Sequence, residues 1–394
     1  MTYHDPDPIT GKKHWEPFQL DFAHDVAEHL LAPINENWFR AKIFGVERIP
    51  EKGPIIIAAN HSGNAFPYDA IAFDGALWKH DGYTRGSKLR TVYEKELSYV
   101  WWMRPFGIDD FWRRAGGVDM LFTNFEELLR RKERVLYFPE GVPGIGKGFH
   151  RRYQLQRFST SFVLIGARTK TKVLPLYMIN AEWINPFGFP FKPLDLFMQR
   201  FFTVPFLPLP IGILAIVFPW MWYLALPAKL VFVVGEPIDM AQLVREAGIA
   251  DLEQPDRERL RAVADRVQAR MQDELDELVK LHGRSPYRFG ELWRKLLESR
   301  GRLWRVLPTG WPVAFVRHDR DRYREAPRSW LQGFLRDLDL IGYYLPLGWP
   351  ILSLSRWLRK PPYGYRGMTK EKAREKRGEF IWRLSERPLP PRAS

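Results

Sequence analysis

Apolar residues along this chain fall into two rhythms. Short aliphatic runs at Ile55–Ala59, Leu89–Tyr93, Arg134–Phe138, Lys172–Ile179 and Leu230–Val234 read as strands, with a further one near Ala41–Val46. Between them, apolar positions recur at helical spacing. Gln19–Phe39 carries Leu20, Phe22, Val26, Leu30, Leu31 and Ile34 on one face, with a break or kink expected at Pro33. Pro67 suits the first turn of a helix running through Trp78. Val118–Arg131 and Gln156–Arg168 read as helices, and Asp256–Leu281 as a long, charged one. Strands alternating with helices predict an α/β fold.

Two stretches depart from this rhythm. Phe201–Ala228 has no charged residue over 28 positions, long enough for a membrane span, but its five prolines argue against a straight helix. Leu340–Ser355 is a second uncharged run, interrupted by Pro346 and Pro350. Both are expected to dip into one leaflet or to cover an apolar pocket; a Pro-rich core loop is the plainer alternative. The chain then divides into an amphipathic N-terminal segment (1–34), an α/β domain (35–282) with an apolar insertion (201–228), and a C-terminal extension (283–394). The tail Thr369–Ser394 is expected to be partly disordered.

Charge sharpens the last boundary. The net charge is +14, and Gly283–Ser394 alone holds 25 Lys and Arg against 11 Asp and Glu, so the rest of the chain is neutral. The same segment holds seven tryptophans. Cations interleaved with indoles fit an anionic membrane surface. The composition also suits nucleic acid, but the accompanying apolar runs favour membrane lipids as the partner. A solvated basic face with some buried indoles is the bland reading. The polar start Met1-Thr2-Tyr3-His4-Asp5-Pro6 is not a secretory signal, so a cytoplasmic or cytoplasm-facing, membrane-associated protein is expected.

The chain has no cysteine, which excludes disulfides, thiolate catalysis and Cys-ligated zinc. Its nine histidines show no paired ligand spacing, and no metal is expected. What remains is acid–base chemistry. His61 follows the strand Ile55–Ala59, placing it at a strand's C-terminal end, where α/β sheets bind ligands. Asp69 falls in the first turn of the next helix. A loop curling back would let Asp69 accept the Nδ1–H of His61, freeing Nε2 to take a proton from a hydroxyl. Separately, each has an ordinary reading: a satisfied loop histidine, and an acid at a helix N-terminus. Pro139-Glu140-Gly141 leaves another strand. Gly141 permits close backbone approach, Glu140 can accept from substrate hydroxyls, and nearby amides could stabilise an oxyanion. Gly141–Lys147 also matches most of a phosphate-binding P-loop, but Gly148 stands where Ser or Thr would hold magnesium.

Taken in order, Asn60-His61 with a following Asp69, Phe138-Pro139-Glu140-Gly141, and Val173-Leu174-Pro175-Leu176 resemble the lysophospholipid/glycerolipid acyltransferase family. The lead-in Arg48-Ile49-Pro50-Glu51-Lys52-Gly53-Pro54 and the strand Val233-Val234-Gly235-Glu236-Pro237-Ile238 extend the likeness over about Asn35 to His282. The resemblance implies a mixed sheet flanked by helices. It also implies transfer of a fatty acyl group from acyl-CoA or acyl-carrier protein, as co-substrate and without a cofactor, to a lipid hydroxyl. It assigns the base to His61, its orientation to Asp69, and acceptor binding to Glu140 and Gly141; Arg113, Arg114 and Lys147 are candidate phosphate contacts in place of family arginines that this chain lacks. This chain departs from the family's pattern in its seven-residue gap between His61 and Asp69, and in Pro143 where many members carry Arg. Its second block also places Arg113 and Arg114 before its glycines. Two alternatives therefore stand beside a lysophospholipid acceptor: a neutral acceptor such as a mono- or diacylglycerol or lipid alcohol, and an inactive lipid-binding or membrane-tethering protein.

Overall fold

A computed structural model of the chain describes residues 20–62, 66–83, 89–93, 111–202, 207–299, 306–323 and 327–358. The expected tail Thr369–Ser394 lies outside them. Nine strands occur among these residues: β1 (Lys42–Phe44), β2 (Ile55–Ala59), β3 (Leu89–Tyr93), β4 (Val118–Asp119), β5 (Arg134–Tyr137), β6 (Val173–Ile179), β7 (Gly188–Phe189), β8 (Leu209–Pro210) and β9 (Val231–Val234). Seven form one sheet in the order β1-β9-β6-β2-β5-β3-β4, and β7 and β8 form a separate pair. From β6 to β4 neighbouring strands are parallel; β9 is antiparallel to β6, and β1 parallel to β9. The sheet is therefore mixed and mostly parallel, flanked by helices, as expected.

β2 shows why. Its sequence Ile-Ile-Ile-Ala-Ala is buried at every position, because both faces of a parallel sheet are covered. Ile55, Ile57 and Ala59 pack into one apolar cluster, Ile56 and Ala58 into the other, following the alternation of a strand. The first cluster contains α2 (Tyr68–His80) and the N-terminal helical run that begins with α1 (Leu20–Asp25). The second contains α4 (Phe122–Arg130), α6 (Ser161–Thr169) and the long helix Arg257–His282. Phe22, Val26 and Ile34 share the first cluster with Trp311, Phe315, Tyr343 and Trp349. The N-terminal segment and the basic C-terminal extension thus join the core of the α/β domain.

Several elements differ from expectation, each for a local reason. The N-terminal helix passes through Pro33 in two π-type stretches, Val26–Leu31 and Ile34–Trp38. The wider turn relieves the clash between the proline ring and the carbonyl one turn back. Val118 and Asp119 pair with Val92 and Tyr93 at the sheet edge, so the helix expected from Val118 begins at Phe122. The helix expected from Gln156 begins at Ser161. Ahead of it, the backbone amides of Leu155, Gln156 and Phe158 donate to the side chains of Gln272, Glu140 and Gln268. In the uncharged stretches the prolines separate short pieces: Ile211–Val217 and Pro219–Tyr223 in one, Leu338–Tyr343 and Trp349–Leu358 in the other. Among the described residues no helix is long and apolar enough to cross a membrane.

Candidate active site

The site forms at the C-terminal ends of β2 and β5, neighbours in parallel register. Asn60, the first residue past β2, is fully buried. Its side-chain amide accepts from the Met178 N–H at 2.7 Å and donates to the Met178 carbonyl at 3.2 Å, locking the chain to β6. His61 therefore starts from a fixed point. Its imidazole stacks on Phe138, with centroids 4.0 Å apart.

Asp69 enters from the first turn of α2, and its Oδ2 lies 2.9 Å from His61 Nδ1. The seven-residue gap closes the pair. Phe66, just before α2, is buried against Tyr68, Tyr223 and Trp311. Asp69 is fully buried and accepts from the Ser62 N–H and hydroxyl at 3.1 and 2.9 Å and from the Ala70 N–H at 2.8 Å. Burial alone would raise its pKa, but the His61 charge and these hydrogen bonds outweigh it and hold the carboxyl below its ordinary value. An ionised Asp69 fixes the tautomer with the proton on Nδ1, which leaves Nε2 as the basic nitrogen.

Glu140 does something other than expected. It is buried, Oε1 accepts the His61 N–H at 2.8 Å, and Oε2 accepts the Gln156 N–H at 2.7 Å. Its carboxylate ties the two motif loops together. The Gly141 amide donates to the Phe138 carbonyl at 3.0 Å, so it and the His61 amide are committed and do not face an oxyanion. Gly141 contributes conformation: at φ +57 it turns the chain from β5 into α5 (Val142–Ile145). Gly144 contributes closeness. A Cβ there would lie 2.5 Å from Glu140 Cβ and 2.9 Å from His61 Cβ.

Neither Lys147 nor Arg114 is turned to the site. Lys147 is buried, its Nζ 3.4 Å from Glu182 Oε1. This buried pair also removes the P-loop reading, which needs the lysine on a phosphate. Burial raises the Glu182 pKa, with Lys147 opposing. Arg114 is buried with its guanidinium over the Phe22 ring, 3.7 Å from the centroid. The side chain of Arg113 lies outside the described residues. Arg151 and Arg152 are exposed, and Arg151 donates to Gln156, the residue whose amide holds Glu140.

Beside His61 opens a cavity of about 1190 Å³, including its open mouth, walled by α2, β3 and α3 (Phe111–Arg114). Val26, Ile71, Leu89, Phe111, Phe138 and Ile145 give it an apolar lining. Sequence reading missed this cavity, the tie of the motif residue Asn60 to Met178, and also Ser62, Gln156 and Gly144. Only its adjacency to His61 signalled Ser62; Gln156 and Gly144 matter through contacts formed by folding. Among the described residues no cluster of His, Asp and Glu could hold a metal ion.

The His–Asp pair thus stands at the strand ends of a mostly parallel sheet, beside an apolar cavity. The segment that carries these features, residues 40–179, matches the model of the Acyltransferase family. An uncharacterized protein of Mycobacterium tuberculosis is 31% identical over 241 residues, covering 58% of this chain and 61% of the relative. One of Mycobacterium leprae is 30% identical over 237 residues, covering 58% and 60%. The match thus spans about three fifths of the curated relatives' length. Among solved structures, the 1-acyl-sn-glycerophosphate (LPA) acyltransferase PlsC from Thermotoga maritima is similar at 18% identity and a TM-score of 0.35, over 62% of this chain and 79% of that one.

Proposed function

We propose that this protein moves a fatty acyl group from acyl-CoA or acyl-carrier protein to a hydroxyl of a lysophospholipid or related glycerolipid. The observation that carries the reading is the His61–Asp69 pair, closed at 2.9 Å at the wall of the apolar cavity. The acyl chain occupies the cavity. The acceptor oxygen attacks the thioester carbonyl as His61 Nε2 takes its proton, and Asp69 steadies the imidazolium that forms. The tetrahedral intermediate collapses, the C–S bond breaks, and the leaving thiolate takes the proton from His61. Glu140 positions His61 through the backbone.

A membrane-borne acceptor is supported by the exposed apolar residues near the uncharged stretches. Leu196, Ile213, Trp330, Leu331, Leu335 and Leu354 are each at least half exposed, Trp330 at 79%. Exposed apolar side chains of this size support a surface that meets lipid. Docking there, on a cytoplasm-facing membrane, brings the acceptor to the site. A second reading, a neutral glyceride or lipid alcohol as acceptor, is favoured by the burial of Arg114 and Lys147 away from the site. Arg151 and Arg152 serve a phosphate-bearing acceptor if that reading fails. The inactive lipid-binding alternative loses its main support, because the long His–Asp gap closes.

The test is incubation with labelled acyl-CoA and lysophospholipids, mono- and diacylglycerols and lipid alcohols, with His61→Ala in parallel. Product that disappears in the variant is expected. Absence of product with every acceptor, or full activity in His61→Ala, overturns the reading.

A further inference from the structure

One feature of the cavity is not needed for acyl transfer. Asp74 is the only carboxylate among its described lining residues. It belongs to the stripe Pro67, Ala70, Ile71 and Asp74 that α2 presents to the cavity, one side of a helix by spacing. From Pro67 to Asp74 the helix rises about 10 Å. On the facing wall β3 places Leu89, Thr91 and Tyr93 along the cavity, a run of about 13 Å on one strand face. Leu89 pairs in register with Arg134, whose charge acts on Asp74. Asp74 therefore lies toward the end of the cavity near the start of β5, two turns of α2 beyond Pro67.

Its surroundings are costly for a carboxyl. Asp74 is half-buried and lines the cavity. Desolvation pushes its pKa up to about 7, opposed by a hydrogen bond from the Trp78 side chain and the charge of Arg134. That charge is shared with Asp81, Glu133 and Glu51. Near neutral pH Asp74 can both donate and accept. An unsubstituted alkyl chain would press hydrocarbon against this group and strip it of water without replacing the lost hydrogen bonds, which is unfavourable. A hydroxyl on the chain would replace them, and Thr91 on the opposite wall adds a second polar group.

We infer that Asp74 is a specificity-determining residue that selects acyl chains carrying a mid-chain hydroxyl, by hydrogen bonding that hydroxyl inside the cavity. The inference rests on the cavity being the acyl site. Two measurements keep it separate from the transfer reaction. The first is direct binding of palmitic acid and its mid-chain monohydroxy isomers, by calorimetry, to wild type, Asp74→Asn and Asp74→Leu. The second is transfer from the corresponding acyl-CoAs. At least one isomer is expected to bind wild type about tenfold more tightly than palmitic acid, the scale of one buried hydrogen bond. Asp74→Asn should retain part of that preference, and Asp74→Leu should reverse it. Activity ratios should follow the binding ratios. Equal binding of all isomers by wild type, a preference that survives in Asp74→Leu, or no binding of any chain overturns the inference. Discriminating binding without transfer would sustain it while the transfer reading fails; transfer without discrimination would do the opposite.

Discussion

The backbone N–H of His61 donates to Glu140 Oε1 at 2.8 Å, so the acid of one motif holds the base of the other through the main chain. The second oxygen holds the Gln156 N–H at 2.7 Å; the His61 bond is buried and the Gln156 bond partly so. Glu140→Gln keeps one acceptor oxygen but turns an NH2 toward the other amide. A loss of about 2 kcal/mol is expected from a charge-assisted bond broken in the interior, read by urea unfolding. kcat should fall while KM for the acceptor stays near wild type, because Glu140 positions His61. A raised acceptor KM with unchanged kcat would instead restore Glu140 to acceptor binding.

Asp69→Asn tests the orientation of the base. An amide in this place can donate to Nδ1 and so favour the tautomer protonated on Nε2, which cannot act as a base. A kcat loss of up to about 10⁴-fold is expected, the scale seen when an orienting aspartate becomes asparagine in a serine-protease triad. Stability supplies an independent check. The Asp69 carboxyl is held below its ordinary value. Its contribution is therefore complete above the ordinary carboxylate range and is lost as pH falls through the lowered value. The stability gap between wild type and Asp69→Asn should narrow on acidification. A gap that widens would contradict an ionised Asp69.

Lys147 was a candidate phosphate contact by sequence, and its buried pairing with Glu182 predicts something else. Lys147→Met leaves Glu182 buried and unpaired, at a cost of about 3–5 kcal/mol. The KM for acyl-CoA should not change. Because burial raises the Glu182 pKa, removing the lysine raises it further. The variant's deficit should therefore shrink as pH falls and Glu182 takes up a proton. Adding Glu182→Leu should recover much of the loss at neutral pH. A large rise in KM for acyl-CoA in Lys147→Met would return the lysine to the donor site.

What was legible in the sequence follows from range. β2 and β3 have the boundaries their composition predicts, because an aliphatic run, or a short stretch rich in Thr, Val and Tyr, is a local signal for a strand. His61 and Asp69 were legible through their placement at a strand end and a helix start. Pairing decided by distant partners was not. Val118 reads as helical until Val92 offers it a ladder, and Gln156 until Glu140 takes its amide. Glu140 was half legible for the same reason: its identity was visible, but not that both oxygens would meet backbone donors.

Gly144 is another such case. A methyl group there would meet the Cβ atoms of Glu140 and His61 at 2.5 and 2.9 Å, neither of which can rotate away. Gly144→Ala must therefore displace α5 or the His61 loop. A stability loss of about 1–3 kcal/mol is expected from overpacking. A kcat loss on the order of 10²-fold should accompany it, because small displacements of a catalytic group are expensive. Measured at a temperature where the variant is fully folded, unchanged kcat would show that His61 is not held from this side.

The C-terminal region needs a finer cut than its charge suggests. Deleting everything after His282 would remove Trp311, Phe315, Tyr343 and Trp349 from the core, and loss of vesicle binding would then report unfolding. Arg320 is also buried, bound to Asp337 and Asp339 at 2.6 and 2.7 Å, so part of the basic excess is internal. Truncation after Leu358 avoids both. Residues 359–394 hold 11 Lys and Arg against 4 Asp and Glu, half of the chain's net charge of +14. Each cation near an anionic surface is worth about 1 kcal/mol, so affinity for phosphatidylserine-containing vesicles should fall by well over tenfold on truncation. Raising salt should reduce binding of the full chain toward that of the truncated one, leaving a residual attributable to exposed apolar residues such as Trp330 and Leu354. Equal, salt-insensitive binding by both forms would place membrane attachment on the apolar surface alone.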